Sequence, residues 1–169
     1  IVGVAPEGGL YYKDTGEKSL PAGSPQQAFT ASGITFNLYY NDIINNTGVG
    51  FAGANGALAM ARVQDALTYI ASILHETGTL DVVAANSQTD GSGFLASAGT
   101  YYPVAKGVFT GSTLERLHDP GNAKPFARTE EIFMTVDFGF PWNFSTEPAA
   151  MTEADFQSVM THEFTHGLG

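Results

Sequence analysis

The sequence contains no cysteine. Disulfides and thiolate metal ligands are thereby excluded, so any transition-metal site must use histidine, carboxylate or water. The absence does not fix a compartment. Basic residues are scarce: 7 Lys and Arg stand against 17 Asp and Glu, for a formal charge of −10. Such a surface repels phosphate backbones and argues against nucleic acid as a partner. No apolar run reaches the roughly 18 residues of a membrane span, so no span is expected. There is no internal repeat. The chain opens Ile1-Val2-Gly3, with no initiator Met and no basic-then-apolar leader. This reads as a processed piece of a secreted, extracellular protein whose signal peptide is left off. What is present suits one soluble domain with a real core: 169 residues, 43% hydrophobic, with mean hydropathy near zero.

Residues 1–33 are rich in Gly, Pro and Ser and lack periodicity, the mark of an extended N-terminal lead-in or linker. Tyr11 and Tyr12 are candidates for packing or a short strand, and Asp14 reads as a turn residue. Alternation over residues 34–40 predicts a strand, and Asn41-Asp42 and Asn45 to Gly48 mark a loop after it. Val63, Leu67, Ile70 and Leu74 predict a long helix over residues 57–77, started by Asn55-Gly56 and stopped by Gly78. His75 falls in its last turn, where a cation favours the helix end; that role outweighs a ligand role. Residues 80–85 read as a buried strand and 86–93 as a turn-rich loop. Residues 94–102 read as a strand whose small side chains let another backbone approach, ended by Pro103. Within 104–128 the pattern predicts a short strand at 108–110, a helical turn at 114–117 and a loop from Pro120 to Pro125. His118 reads as a surface histidine. Residues 132–138 predict another strand. The last helix is expected from 153 to 168, about 24 Å long. Thr152 is its expected N-cap, with Asp155 completing a capping box, and Phe156, Val159, Met160 and Phe164 hold it to the sheet. Asn45 and Asn143 open N-x-S/T sequons, for which chance is the simpler reading.

The chemistry is concentrated in His162-Glu163-Phe164-Thr165-His166-Gly167-Leu168-Gly169. Residues four apart on a helix lie on one face, so His162 and His166 can aim two imidazoles at one metal ion. Glu163 is rotated roughly 100° about the axis, beside the metal rather than on it. That is where a base takes a proton from a metal-bound water.

With this motif, the order of strand, long helix, strand, edge strand, strand and motif helix resembles the metzincin clan of zinc endopeptidases. The nearest pattern is that of the matrix-metalloproteinase-like catalytic domains and of predicted exported peptidases of bacteria. Leu80-Asp81-Val82-Val83 is similar to their third strand. Asp90-Gly91-Ser92-Gly93-Phe94-Leu95-Ala96 is similar to their calcium loop and edge strand, and Val136-Asp137 to the strand before the active-site loop. The resemblance implies an α/β (α+β) zincin: a twisted, mostly parallel sheet with an antiparallel edge strand, one backing helix and one active-site helix. Residues 34–169 would form its upper, N-terminal subdomain, with the C-terminal subdomain beyond the chain.

The resemblance further implies one catalytic Zn2+ held by His162 and His166, with Glu163 as the general base. Gly169 would turn the chain out of the helix, and a third ligand is expected three residues beyond it. A peptide or protein substrate would add as a strand near Leu95 and Ala96. Ser97 stands where many relatives carry a histidine, so a second zinc is not expected. Asp90 is a candidate Ca2+ ligand, with a plain turn residue the simpler reading. Two other readings remain. One is a gluzincin-type peptidase with a distant Glu as third ligand. The other is a non-catalytic adhesion or binding domain that kept the fold, against which Glu163 speaks.

Overall fold

In the computed structural model the described residues are 21–100, 104–105, 108–109, 111–118 and 130–169. Tyr11, Tyr12, Asp14, Pro103, Thr110 and the loop expected at 120–125 lie outside them. The elements follow in order: β1 (Gln27–Ala31), β2 (Ile34–Tyr40), α1 (Asn41–Ile44), α2 (Gly56–Leu74) and β3 (Gly78–Ala84). Then come β4 (Ala96–Thr100), β5 (Val104–Ala105), β6 (Val108–Phe109), α3 (Ser112–His118) and β7 (Ile132–Val136). The chain closes with β8 (Trp142–Asn143), β9 (Ala154–Asp155) and α4 (Phe156–Leu168).

Period-two patterning builds the sheet. Ile34, Phe36, Leu38 and Tyr40 are buried on one face of β2, and register carries the face across to Leu80, Val82 and Ala84, then Ile132, Met134 and Val136. The strand order is β1-β2-β3-β7-β4. Pairing is parallel for β2–β3 and β3–β7 and antiparallel for β1–β2 and β4–β7, which makes a mixed α/β sheet with antiparallel strands at both edges. Val63, Leu67 and Ile70 of α2 and Phe156, Met160 and Phe164 of α4 join the same core cluster. The core therefore lies between the sheet and these two helices. Among the described residues no helix is long and apolar enough to cross a membrane.

Where a loop was expected at Asn41-Asp42 the chain forms the short helix α1, whose buried Asp42 accepts from Phe51 N and Ser87 N, and other elements depart from the expectation as well. Residues 27–31, inside the stretch read as a lead-in, pair with β2 as a hairpin. Its two-residue loop places Ser32 at φ 47° and Gly33 at φ 93°, the left-handed pair that matches the twist of hairpin strands. Helix α2 stops at Leu74, because His75 takes a left-handed conformation (φ 55°, ψ 30°). That turn releases the chain to start β3 at Gly78, the residue expected only to stop the helix. Finally, α4 starts later than expected. Its N-cap is Asp155, whose Oδ1 accepts from Ser158 N at 2.7 Å. Thr152 does not cap it. Ala154 and Asp155 are held in extended pairing with Trp142 and Asn143, and a residue in a ladder cannot also be helical.

Candidate metal and peptide site

Helix α4 is seated at its start by aromatic packing. The Trp142 and Phe156 rings meet edge to face with centroids 5.0 Å apart, and Phe144 lies 4.9 Å from Phe156. Phe156, Met160 and Phe164 bury one stripe, so His162, Thr165 and His166 are turned to the exposed side. A histidine satisfied in a core does not look like this. The two rings lie 4.8 Å apart at 80°, with Nε2 of His162 and Nε2 of His166 separated by 3.2 Å. Two nitrogens bound to one tetrahedral zinc at about 2.0–2.1 Å stand about 3.3 Å apart. In the structure the two rings share a hydrogen bond at a spacing close to that bite. Among the described residues no third His, Cys, Asp or Glu joins them in a metal-holding group.

Glu163 is only partly exposed and points to the sheet. Its Oε2 accepts from the backbone N–H of Ala98 at 3.1 Å. The pleat explains why that N–H is available. The Leu95 carbonyl accepts from Asp137 N at 2.9 Å, so alternate residues from Leu95 face β7, while Ala96 and Ala98 turn their backbone groups to the open edge. Ala96 and Ala98 also have small side chains on the α4 side, which lets the helix come close. Opposite them, Gly99 lies beneath the Phe133 ring, where an added Cβ would come within 2.7 Å of Cζ.

A groove of about 410 Å³ runs between this edge and the helix, lined by Phe94, Leu95, Ala96, Ser158, Val159, His162 and Glu163. Leu95 and Ala96, the residues expected to receive a peptide, both line this groove. Leu95 lies just before β4 and offers its side chain, and Ala96 offers outward backbone groups. Both stand beside His162 and Glu163. No local pattern marks Phe94 and Val159 as walls of the groove, nor Ala98 as the partner of Glu163. A backbone N–H has no residue signature, although the Leu-Ala-Ser-Ala run before a clear strand marks where one would be found.

The other candidates lie apart from this constellation. Asp90 is exposed and accepts from the Ser92 hydroxyl at 2.8 Å and the Ser92 N–H at 3.2 Å. The Ser92 hydroxyl, and then its N–H, hold the Asp90 carboxyl below the usual carboxylate range. Asp137 is buried and binds the same loop, accepting from Ser92 N and from Gly139 N. His118 Nδ1 lies 3.3 Å from Glu76 Oε1, at the surface. Asn143 is buried, and its Nδ2 donates to the Glu147 carbonyl, so a glycan there would have to displace that bond. Compared with protein-family models, with curated proteins and with solved structures, the chain matches none.

Proposed function

We propose that these residues belong to the catalytic unit of a zinc-dependent endopeptidase of metzincin type, with His162 and His166 as two of the metal ligands and Glu163 as the general base. The 3.2 Å separation of the two exposed Nε2 atoms, beside a groove that ends on Glu163, is the observation that carries the reading. A bound zinc would polarise the scissile carbonyl and acidify a water at the site. The chain's own groups supply the rest. Ala98 holds Oε2 of Glu163, which leaves Oε1 to accept a proton from water and return it to the departing amine nitrogen. The outward N–H and C=O of Ala96 can pair with an extended peptide, whose side chains then meet Phe94, Leu95 and Val159. Two imidazoles only half enclose an ion, so the 169 residues by themselves are expected to bind zinc loosely and to cleave weakly. A quenched fluorescent peptide mixture, assayed in the presence of zinc, tests the reading. Glu163→Gln should lower the rate at least about a hundredfold; cleavage at the parental rate by that variant would sink it.

A further inference from the structure

Thr113, in α3, is wholly buried and bridges three parts of the chain. Its Oγ1 lies 2.8 Å from the Gly167 carbonyl in the last turn of α4 and 3.0 Å from the Glu131 carbonyl just before β7. It also lies 2.7 Å from Oγ1 of Thr100 in β4, which accepts from Thr113 N at 3.3 Å. Carbonyls only accept and the Thr113 hydroxyl carries a single hydrogen, so the shorter contact, to Gly167, takes most of it and the Glu131 carbonyl shares it at most in part, while the Thr100 hydroxyl supplies the hydrogen between the two threonines.

The acceptor matters because the last four carbonyls of a helix have no partner within it. Gly167 directly follows His166, and its carbonyl is one of those four. The same turn is packed without slack. A Cβ on Gly167 would come within 2.8 Å of Ile132 Cγ2, and one on Gly111 within 2.8 Å of both Gly169 Cα and the Leu168 carbonyl. The turn that carries His166 is thus tied from outside the helix, to α3, β4 and β7 at once.

We infer that Thr113 is a positioning residue: by holding the Gly167 carbonyl it sets the height and rotation of the His166 imidazole over His162. The metal part of this inference rests on the zinc-hydrolase reading, whereas the ring geometry does not. Zinc–nitrogen bonds tolerate only about 0.2 Å of error, so a loosened last turn would separate the two donors.

The full chain, metal-free and with zinc alone, tests it. Thr113→Val removes the hydroxyl at nearly constant shape, and Thr113→Ser restores it. The readouts are zinc affinity by competition with a chromophoric chelator and the nuclear Overhauser contact between the two imidazoles without metal. Circular dichroism checks folding. Thr113→Val should lose the ring contact and about tenfold in zinc affinity, the range seen when groups behind a ligand are removed. Thr113→Ser should keep both close to the parent. A folded Thr113→Val chain with parental contact and parental affinity overturns the inference. Should Thr113→Val fail to fold, Thr113→Ala, which removes the same hydroxyl, decides through the same two readouts, and an undiminished ring contact there overturns it. Absence of zinc binding by the unsubstituted chain would end the hydrolase reading and leave the ring contact to judge Thr113.

Discussion

The Glu163 carboxylate and the Ala98 N–H meet at 3.1 Å, joining the motif helix to the open edge of the sheet. The bond orients the carboxylate proposed as the base with a backbone group that the ladder does not use. Ala98→Pro deletes it without taking a hydrogen bond from the β4–β7 pairing, since proline is tolerated where the N–H faces outward on an edge strand. The expected outcome is a rate reduced about tenfold, the order that a lost orienting contact costs, with zinc affinity unchanged. Steady-state rates and chelator competition check this. An equal fall in both would mean that the strand itself had moved.

His162→Ala and His166→Ala should each weaken zinc binding by about a hundredfold or more, whereas Glu163→Gln should leave it within a few-fold. As zinc ligands, His162 and His166 would have to be neutral imidazoles, so on the proposed reading the affinity of the parent should fall as the solution is made acidic. Isothermal titration at several pH values reads both effects. Tight stoichiometric binding by the parent 169-residue chain would contradict the two-ligand account.

The helix start gives a stability test. Asp155→Ala should cost about 1 kcal/mol, the usual loss for an N-cap whose side chain accepts from N3. Thr152→Ala should cost much less, because Thr152 is exposed ahead of the β9 residues. Urea unfolding with a common slope measures the difference.

Two groups set pH dependence in opposite directions. Asp90 is held below the ordinary carboxylate range, chiefly by the Ser92 hydroxyl. Its contribution to stability is present above about pH 4 and is lost as the pH falls through the lower folded value. Ser92→Ala should move the Asp90 titration up, as read from its carboxyl carbon by NMR. Tyr40 is buried and its phenol is pushed up by that burial, while its hydroxyl donates to Gln27 Oε1 at 2.8 Å. Being neutral in the fold, it contributes stability that is present below about pH 10 and lost as the pH rises beyond it. Tyr40→Phe should flatten the alkaline limb of the melting curve and cost about 1 kcal/mol at neutral pH for the lost hydrogen bond.

Several elements were legible because their cause is local. The four-residue spacing of His162 and His166 brings the imidazoles together by helix geometry alone. The alternation through Ile34, Phe36, Leu38 and Tyr40 marked β2 to the residue, and the stripe through Val63, Leu67 and Ile70 marked α2. Strand β1 was missed because Gln27 and Thr30 leave Phe29 as its one large apolar residue. The Ser32-Gly33 turn dipeptide was the available signal. The end of α2 and the start of α4 were misplaced for another reason. At α4, pairing with Trp142 and Asn143 takes Ala154 and Asp155 out of the helix, and at α2 His75 turns left-handed, leaving residues 75–77 in neither helix nor strand.

By itself, then, the order of residues determined the periodic elements, the acidic surface and the face-sharing histidine pair, because each depends on groups a few positions apart. Only the folded chain decided that β4 would offer Ala98 to Glu163, that Asp155 rather than Thr152 would cap α4, and that Thr113 would hold the Gly167 carbonyl. These choices pair groups far apart in the chain, through backbone atoms that every residue shares, so no local pattern can announce them.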